Sequence, residues 1–183
     1  ERHVNVGSAE SNMVGIAAGL ATCGNIVYAS SFAMFAAGRA YEQVRNSIGY
    51  THLNVKICAT HAGITLGEDG ASHQSIEDIA LMRSIPGMTV LQPSDDIETK
   101  QMIKAISDFD GPCYVRLGRS AVETVNNEDY KFELGKGVVL REGKDITLIA
   151  TGMMVQEAMK ASTTLAEQGI EVNVINIHTI KPL

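Results

Sequence analysis

Short β-branched apolar runs alternate along this chain with stretches of helical spacing. Residues 4–6 predict a short strand, and residues 8–23 a helix with Ser8 as its cap and a Gly/Ala content suited to close packing on both sides. Residues 26–30 read as a strand and 32–48 as a helix. Residues 55–60 are almost continuously apolar, the mark of a strand buried on both faces. A long Gly-rich loop covers 61–73. Ser75 to Asp78 fits a capping-box spacing, with Asp where Glu or Gln is usual, and so opens the next helix. Residues 88–91 predict a strand, 95–109 a helix and 114–117 a strand. Beyond a polar stretch, 146–150, 155–168 and 172–177 predict one β-α-β unit.

Strands alternating with helices imply a doubly wound, mostly parallel α/β sheet with helices on both faces. Right-handed crossovers then set ligand-binding loops at the carboxyl ends of the strands. The shift to Asn, Asp, Glu and Lys at 123–133 reads as a polar linker. The expected organisation is a main domain over 1–122, a linker over 123–143 and the start of a second, incomplete α/β unit over 144–183. A piece of about 40 residues is too small to bury a core of its own.

Composition narrows the class. With 45% apolar and 20% charged residues, and 17 Gly against 4 Pro, the 183 residues are ordinary globular protein, which excludes disorder, collagen-like repeats and coiled coil. The net charge of −6, from 15 basic and 21 acidic side chains without a basic run, argues against a nucleic-acid surface. The longest apolar stretch, 14–23, is shorter than the roughly 20 residues that span a bilayer, so no membrane association is expected. The chain opens on Glu1-Arg2-His3-Val4, with neither Met nor a charged-then-apolar leader. No signal peptide is therefore expected, and both ends read as cuts in something larger. Three dispersed cysteines, Cys23, Cys58 and Cys113, argue against a disulfide framework and for a reducing, cytoplasmic compartment.

The loop from His61 to Gln74 places two His, a Glu and an Asp after a buried strand, where open α/β sheets carry their sites. His61, Asp69 and His73 suit either a metal, although their spacing matches no established ligand signature, or the hydroxyls of a polyol or sugar phosphate. A plain polar surface loop is the third reading. Glu10 begins an apolar helix, either as a carboxylate favouring the helix dipole or as one buried at a ligand. Phe32 and Phe35, half of the chain's four Phe, are either core or a pair of rings flanking a flat heteroaromatic ligand. Arg116 and Arg119 follow the last strand of the main domain. Arg119 lies just past the strand's end, where a guanidinium can hold a phosphate in two bonds.

Taken in order, these segments resemble the pyrimidine-binding domain of transketolase. The resemblance rests on Asn5-Val6-Gly7-Ser8-Ala9-Glu10-Ser11-Asn12-Met13, Phe32-Ala33-Met34-Phe35, His61-Ala62-Gly63-Ile64, Ile85-Pro86-Gly87-Met88 and Arg116-Leu117-Gly118-Arg119. Most specific is Gly67-Glu68-Asp69-Gly70-Ala71-Ser72-His73-Gln74, which separates transketolase from deoxyxylulose-phosphate synthases and 2-oxo acid dehydrogenase β subunits. The match runs from residue 1 to about 120, and the tail from Lys144 resembles the beginning of the family's C-terminal domain.

The resemblance implies thiamine diphosphate as cofactor. It implies that Glu10 hydrogen-bonds the aminopyrimidine ring and favours its imino tautomer, so that the protein sets the protonation of a cofactor that carries the covalent chemistry. It implies that Phe32 and Phe35 wall that ring. Asp69 would contact a hydroxyl beside the reacting carbonyl, His73 the donor carbonyl, and His61 and Arg119 the sugar phosphate. The substrates implied are ketose and aldose phosphates, exchanging a two-carbon ketol unit. Two departures stand out: Gly7-Ser8 where the family usually reads Gly-Ile, and no Gly-Asp-Gly followed by a distant Asn, the pattern that holds the metal and diphosphate. The resemblance thus implies a separate diphosphate-binding domain or subunit holding Mg2+ or Ca2+, no metal site on this chain, and a homodimer of pyrimidine-binding domains. A deoxyxylulose-phosphate synthase-like enzyme and a non-catalytic assembly module of the same fold are the alternatives.

Overall fold

The computed structural model describes residues 2–183. They form two compact units, one holding residues up to 90 together with 109–119, the other 91–108 together with 120–183.

In the first unit, helix α1 (Glu10–Thr22) is followed by strand β1 (Val27–Phe32). A wide turn (Met34–Arg39), a short helix α2 (Tyr41–Gln43) and a second wide turn (Val44–Gly49) lead to strand β2 (Val55–Thr60). Helix α3 (Asp78–Ser84), strand β3 (Thr89–Leu91) and strand β4 (Cys113–Arg116) complete it. The strand order is β1-β2-β4-β3. Strand β2 pairs in parallel with β1 (Val27 opposite Val55, Phe32 opposite Thr60) and with β4 (Lys56 opposite Cys113). A strand flanked on both sides must be apolar on both faces, and Val55, Ile57 and Ala59 are fully buried. Lys56 is the exception. Its buried ammonium donates to the carbonyls of Phe109 and Gly111, both at 2.7 Å, and burial lowers its pKa.

Helix α1 presents Val14, Ala17, Ala18 and Ala21, at spacings of three and four, as its buried face and packs on β1. Several sequence expectations change here. Residues 4–6 form no strand. Ala9, not Ser8, precedes the first helical residue, without a side-chain cap. The single helix expected over 32–48 is instead a strand end followed by two turns whose backbone bonds skip five residues, as from Ala40 N–H to Phe35 C=O and from Tyr50 N–H to Arg45 C=O. Such wide turns commonly mark functional sites. Close packing favours the second one: a Cβ at Gly49 would lie 2.4 Å from Ile85 Cγ2. The capping box expected at Ser75 is absent too; α3 starts at Asp78 without a side-chain cap, and the Asp78 carboxylate turns inward.

The second unit holds helix α4 (Asp96–Ser107), strands β5 (Val138–Arg141) and β6 (Ile146–Ala150), helix α5 (Met154–Ala166), and strands β7 (Val172–Asn176) and β8 (Thr179–Lys181). β6-α5-β7 is the expected parallel β-α-β unit, and β5 adds to β7 antiparallel, with an irregularity between Val139 and Arg141. Asp95 caps α4 by accepting from Glu98 N–H at 2.9 Å, and its other oxygen accepts from the backbone of Val125 and Asn126. Glu98, fully buried, accepts from Ser94, Asn176 and Tyr130.

His178 is buried in the same unit, 4.5 Å from the Phe132 ring centroid, with no hydrogen-bond partner for Nε2 among the described residues. Burial lowers its pKa below the usual 6.5, more strongly than the opposing charge of Glu98 raises it. The folded state therefore takes up a proton less readily than the unfolded chain. The stabilising contribution is full above about pH 6.5 and is lost as the pH falls below that value. The urea midpoint of this unit is expected to drop between about pH 7.5 and about pH 5.5, and His178→Gln to flatten that dependence. An unchanged slope in the variant would remove His178 as its source.

Candidate active site at the strand ends

The parallel register sets the site. Phe32 is the last residue of β1 and pairs with Thr60, the last of β2, so the residue after each strand emerges side by side. His61 follows Thr60 in the left-handed conformation (φ 58°), which is uncommon for a residue with a side chain and concentrates at functional sites. Its ring stacks on Phe32 at 3.8 Å and 16°, and its Nδ1 lies 3.0 Å from Thr60 Oγ1. Phe35, on the first wide turn, lies 6.3 Å from Phe32 with its plane tilted by only 13°. The two Phe thus converge, although they do not share one helix. His73 meets both edge-on, at 6.3 Å and 5.1 Å. Rings from three segments form one cluster.

The loop that brings His73 back is closed at its neck. Gly63 and Ser75 exchange backbone hydrogen bonds of 2.8 Å and 3.2 Å, and Gln74 Nε2 donates to Ile64 C=O at 3.2 Å. Beneath it lies an ion pair. Asp78, 1% exposed, accepts from Tyr114 O–H and Arg116 Nε, both at 2.8 Å, and Arg116 also donates to Ser75 C=O at 3.4 Å. Helix α3 and strand β4 thereby hold the returning arm of the loop. Past β4, Leu117 N–H donates to Ala59 C=O and Ala62 N–H to Leu117 C=O, so the segment bearing Arg119 lies along the start of the loop. The Arg119 guanidinium sits 3.6 Å from where a Cβ at Gly67 (φ 86°) would stand, a place and conformation suited to glycine. Asp69 is exposed on the turn that Gly70 N–H closes onto Gly67 C=O.

Glu10 is the first residue of α1 and is 8% exposed. One carboxylate oxygen accepts from Ser31 Oγ and the other from Arg39 Nη1, both at 3.1 Å. Burial raises its pKa, but its own backbone N–H, Ser31 and Arg39 together outweigh burial and hold it below the usual carboxylate range. Arg39 in turn lies over the Phe35 ring, 4.5 Å from its centroid. Glu10, Arg39, Phe35 and the His rings are thus one connected set. Sequence reasoning had named Glu10, Phe32, Phe35, His61 and His73, which converge, and Asp69 and Arg119, which lie on the loop's outer turn and beside it. It missed Ser31 and Arg39. Arg39 stands four residues after Phe35, one helical turn on, and that spacing was the available signal.

A family model described as "Transketolase, pyrimidine binding domain" matches residues 1–124, and one described as "Transketolase, C-terminal domain" matches residues 135–183. The chain belongs to the transketolase family. It is 55% identical to a putative transketolase C-terminal section from Methanocaldococcus jannaschii, over 100% of this chain and 58% of that protein. It is 46% identical to a 6-deoxy-6-sulfo-D-fructose transketolase subunit from Clostridium sp. (strain MSTE9), over 99% of this chain and 56% of that protein. A solved structure described as "Split gene transketolase, inactive beta4 tetramer" superposes with a TM-score of 0.92 at 51% identity, over 99% of this chain and 58% of that one. This transketolase chain therefore spans little more than half the length of these relatives.

Around Glu10 the surroundings offer an anionic acceptor beside an aromatic face. The buried carboxylate is an acceptor, the Phe35 ring offers a flat face, and a planar cation already bridges the two. Among the described residues no group of three or more His, Cys, Asp or Glu is placed to hold a metal ion, and no helix is long and apolar enough to cross a membrane. Cys58 and Cys113 are free thiols that burial pushes up to about 11, away from reactivity at neutral pH.

Proposed function

We propose that this chain supplies the pyrimidine-binding half of a thiamine diphosphate-dependent transketolase, which moves a two-carbon ketol unit from a ketose phosphate to an aldose phosphate. A second domain or subunit contributes the diphosphate site and its Mg2+ or Ca2+, and two pyrimidine-binding halves pair as a dimer. The observation that carries the reading is the buried Glu10 carboxylate, joined through Arg39 to the face of Phe35.

Bound there, thiamine diphosphate would supply the carbon nucleophile that carries the two-carbon unit. Glu10, kept ionised, accepts a hydrogen bond from a ring nitrogen and biases its protonation. Phe32 and Phe35 exclude water from that contact. His73, edge-on to both, holds or moves a proton at its ring nitrogen beside the donor carbonyl. His61 and Arg119 offer donors to a sugar phosphate, and Asp69 an acceptor to a hydroxyl. The Clostridium relative is named for 6-deoxy-6-sulfo-D-fructose, and others for apulose 4-phosphate, which supports a sugar substrate for this chain without fixing which one. The relative described as an inactive tetramer of β chains supports a chain that needs a second kind of part.

Ketol transfer is expected when this chain is combined with the diphosphate-binding part, thiamine diphosphate and Mg2+, and not from the chain alone. No transfer from any ketose phosphate by the complete assembly would leave the non-catalytic reading of the fold.

A further inference from the structure

Arg39 has no place in the scheme above, yet it makes the two contacts that define the candidate pyrimidine site. Its Nη1 donates to Glu10 Oε2 at 3.1 Å, and its central carbon lies 4.5 Å from the Phe35 ring centroid. A guanidinium is planar, cationic and carries N–H donors in its plane, the features by which a protonated aminopyrimidine satisfies a carboxylate and an aromatic face together. The two partners differ in how firmly they are held. Glu10 is fixed at a helix start with its side chain 9% exposed, whereas the Arg39 side chain is 55% exposed. Arg39 also ends the wide turn Met34–Arg39. Such an arginine can carry its head into water once another donor takes over the carboxylate, because its own side chain already stands half in solvent.

We propose that Arg39 is a built-in competitor of the cofactor's pyrimidine ring: it neutralises Glu10 and covers Phe35, and must swing aside into solvent for the ring to take both contacts. The proposal rests on the reading of Glu10 and Phe35 as the pyrimidine contacts. A buried carboxylate without a partner would be costly, and the arginine spares the chain that cost until a better planar partner arrives. Its charge also sets a threshold, since a ring that cannot donate to Glu10 has nothing to offer in exchange.

The test is a calorimetric titration of thiamine diphosphate into the complete enzyme, this chain assembled with the diphosphate-binding part and Mg2+. Arg39→Met removes charge and planarity and is expected to lower the apparent Kd about three- to tenfold, the scale of losing a competing cation–π contact and one ion pair. Arg39→Lys keeps the charge without the flat face and is expected to lower it less. An unchanged or raised Kd in Arg39→Met, with thermal unfolding of the assembly unaltered, overturns the proposal and makes Arg39 a supporting contact of the bound ring. Glu10→Gln separates the two readings. If it leaves cofactor binding and ketol transfer intact, the pyrimidine assignment itself falls. If it abolishes transfer while Arg39→Met fails to tighten binding, only the competitor role falls.

Discussion

Glu10→Gln is expected to slow ketol transfer by about 100- to 10,000-fold in the assembled enzyme, the range that a positioned proton-transfer group contributes. The substitution is nearly isosteric: the amide oxygen can keep the Arg39 bond while the NH2 donates to Ser31 Oγ, a hydroxyl that can also accept, and the start of α1 keeps its shape. What disappears is the charge. The carboxylate is held ionised by its own backbone N–H, Ser31 and Arg39 against the pull of burial, and a neutral amide cannot stabilise a proton on a neighbouring ring nitrogen. The loss should therefore fall on kcat with the cofactor saturating, with thermal unfolding close to that of the parent. A rate within about tenfold of the parent would remove the carboxylate from the chemistry.

The largest expected effect on stability lies in the other unit. Glu98→Ala should destabilise it by about 3–5 kcal/mol, the cost of removing one partner from a buried polar network. The Glu98 side chain accepts from Ser94 N–H at 2.7 Å, Ser94 Oγ at 2.9 Å and Asn176 Nδ2 at 2.9 Å, and also from the Tyr130 hydroxyl. Alanine would orphan these donors at a fully buried position and leave a cavity there. The readout is the urea midpoint of the first unfolding transition by circular dichroism. A loss below about 1 kcal/mol would mean that water or side-chain rearrangement satisfies the donors.

The sheet was legible because its central strands obey simple rules. Residues 55–60 matched β2 to the residue, since a strand with neighbours on both sides admits little but apolar side chains. Lys56 breaks that rule in sequence and keeps it in space, by carrying its ammonium to two carbonyls 53 and 55 residues away. Such distant pairings have no local signature. The wide turns of 34–49 were illegible for the same reason: a five-residue bond and a four-residue bond present nearly the same apolar spacing, and contact with Ile85 helps decide between them. β5 and β8, four and three residues long, are too short for periodicity to show. At the site, residue type gave Glu10, the rings and the histidines, whereas the partners that orient them, Ser31, Arg39 and the Asp78–Arg116 pair, are fixed only by the fold.

Gly63 and Ser75 join the two arms of the ring-bearing loop as a drawstring closes a bag. The entropy of shutting such a ring grows only with the logarithm of its circumference, about 0.6 kcal/mol for each doubling. Lengthening the loop between Gly67 and Gly70 therefore burdens folding little, provided both glycines keep their left-handed backbone. In a family whose members are named for different sugars, added length at that tip is a change a combinatorial library could make at little thermodynamic penalty.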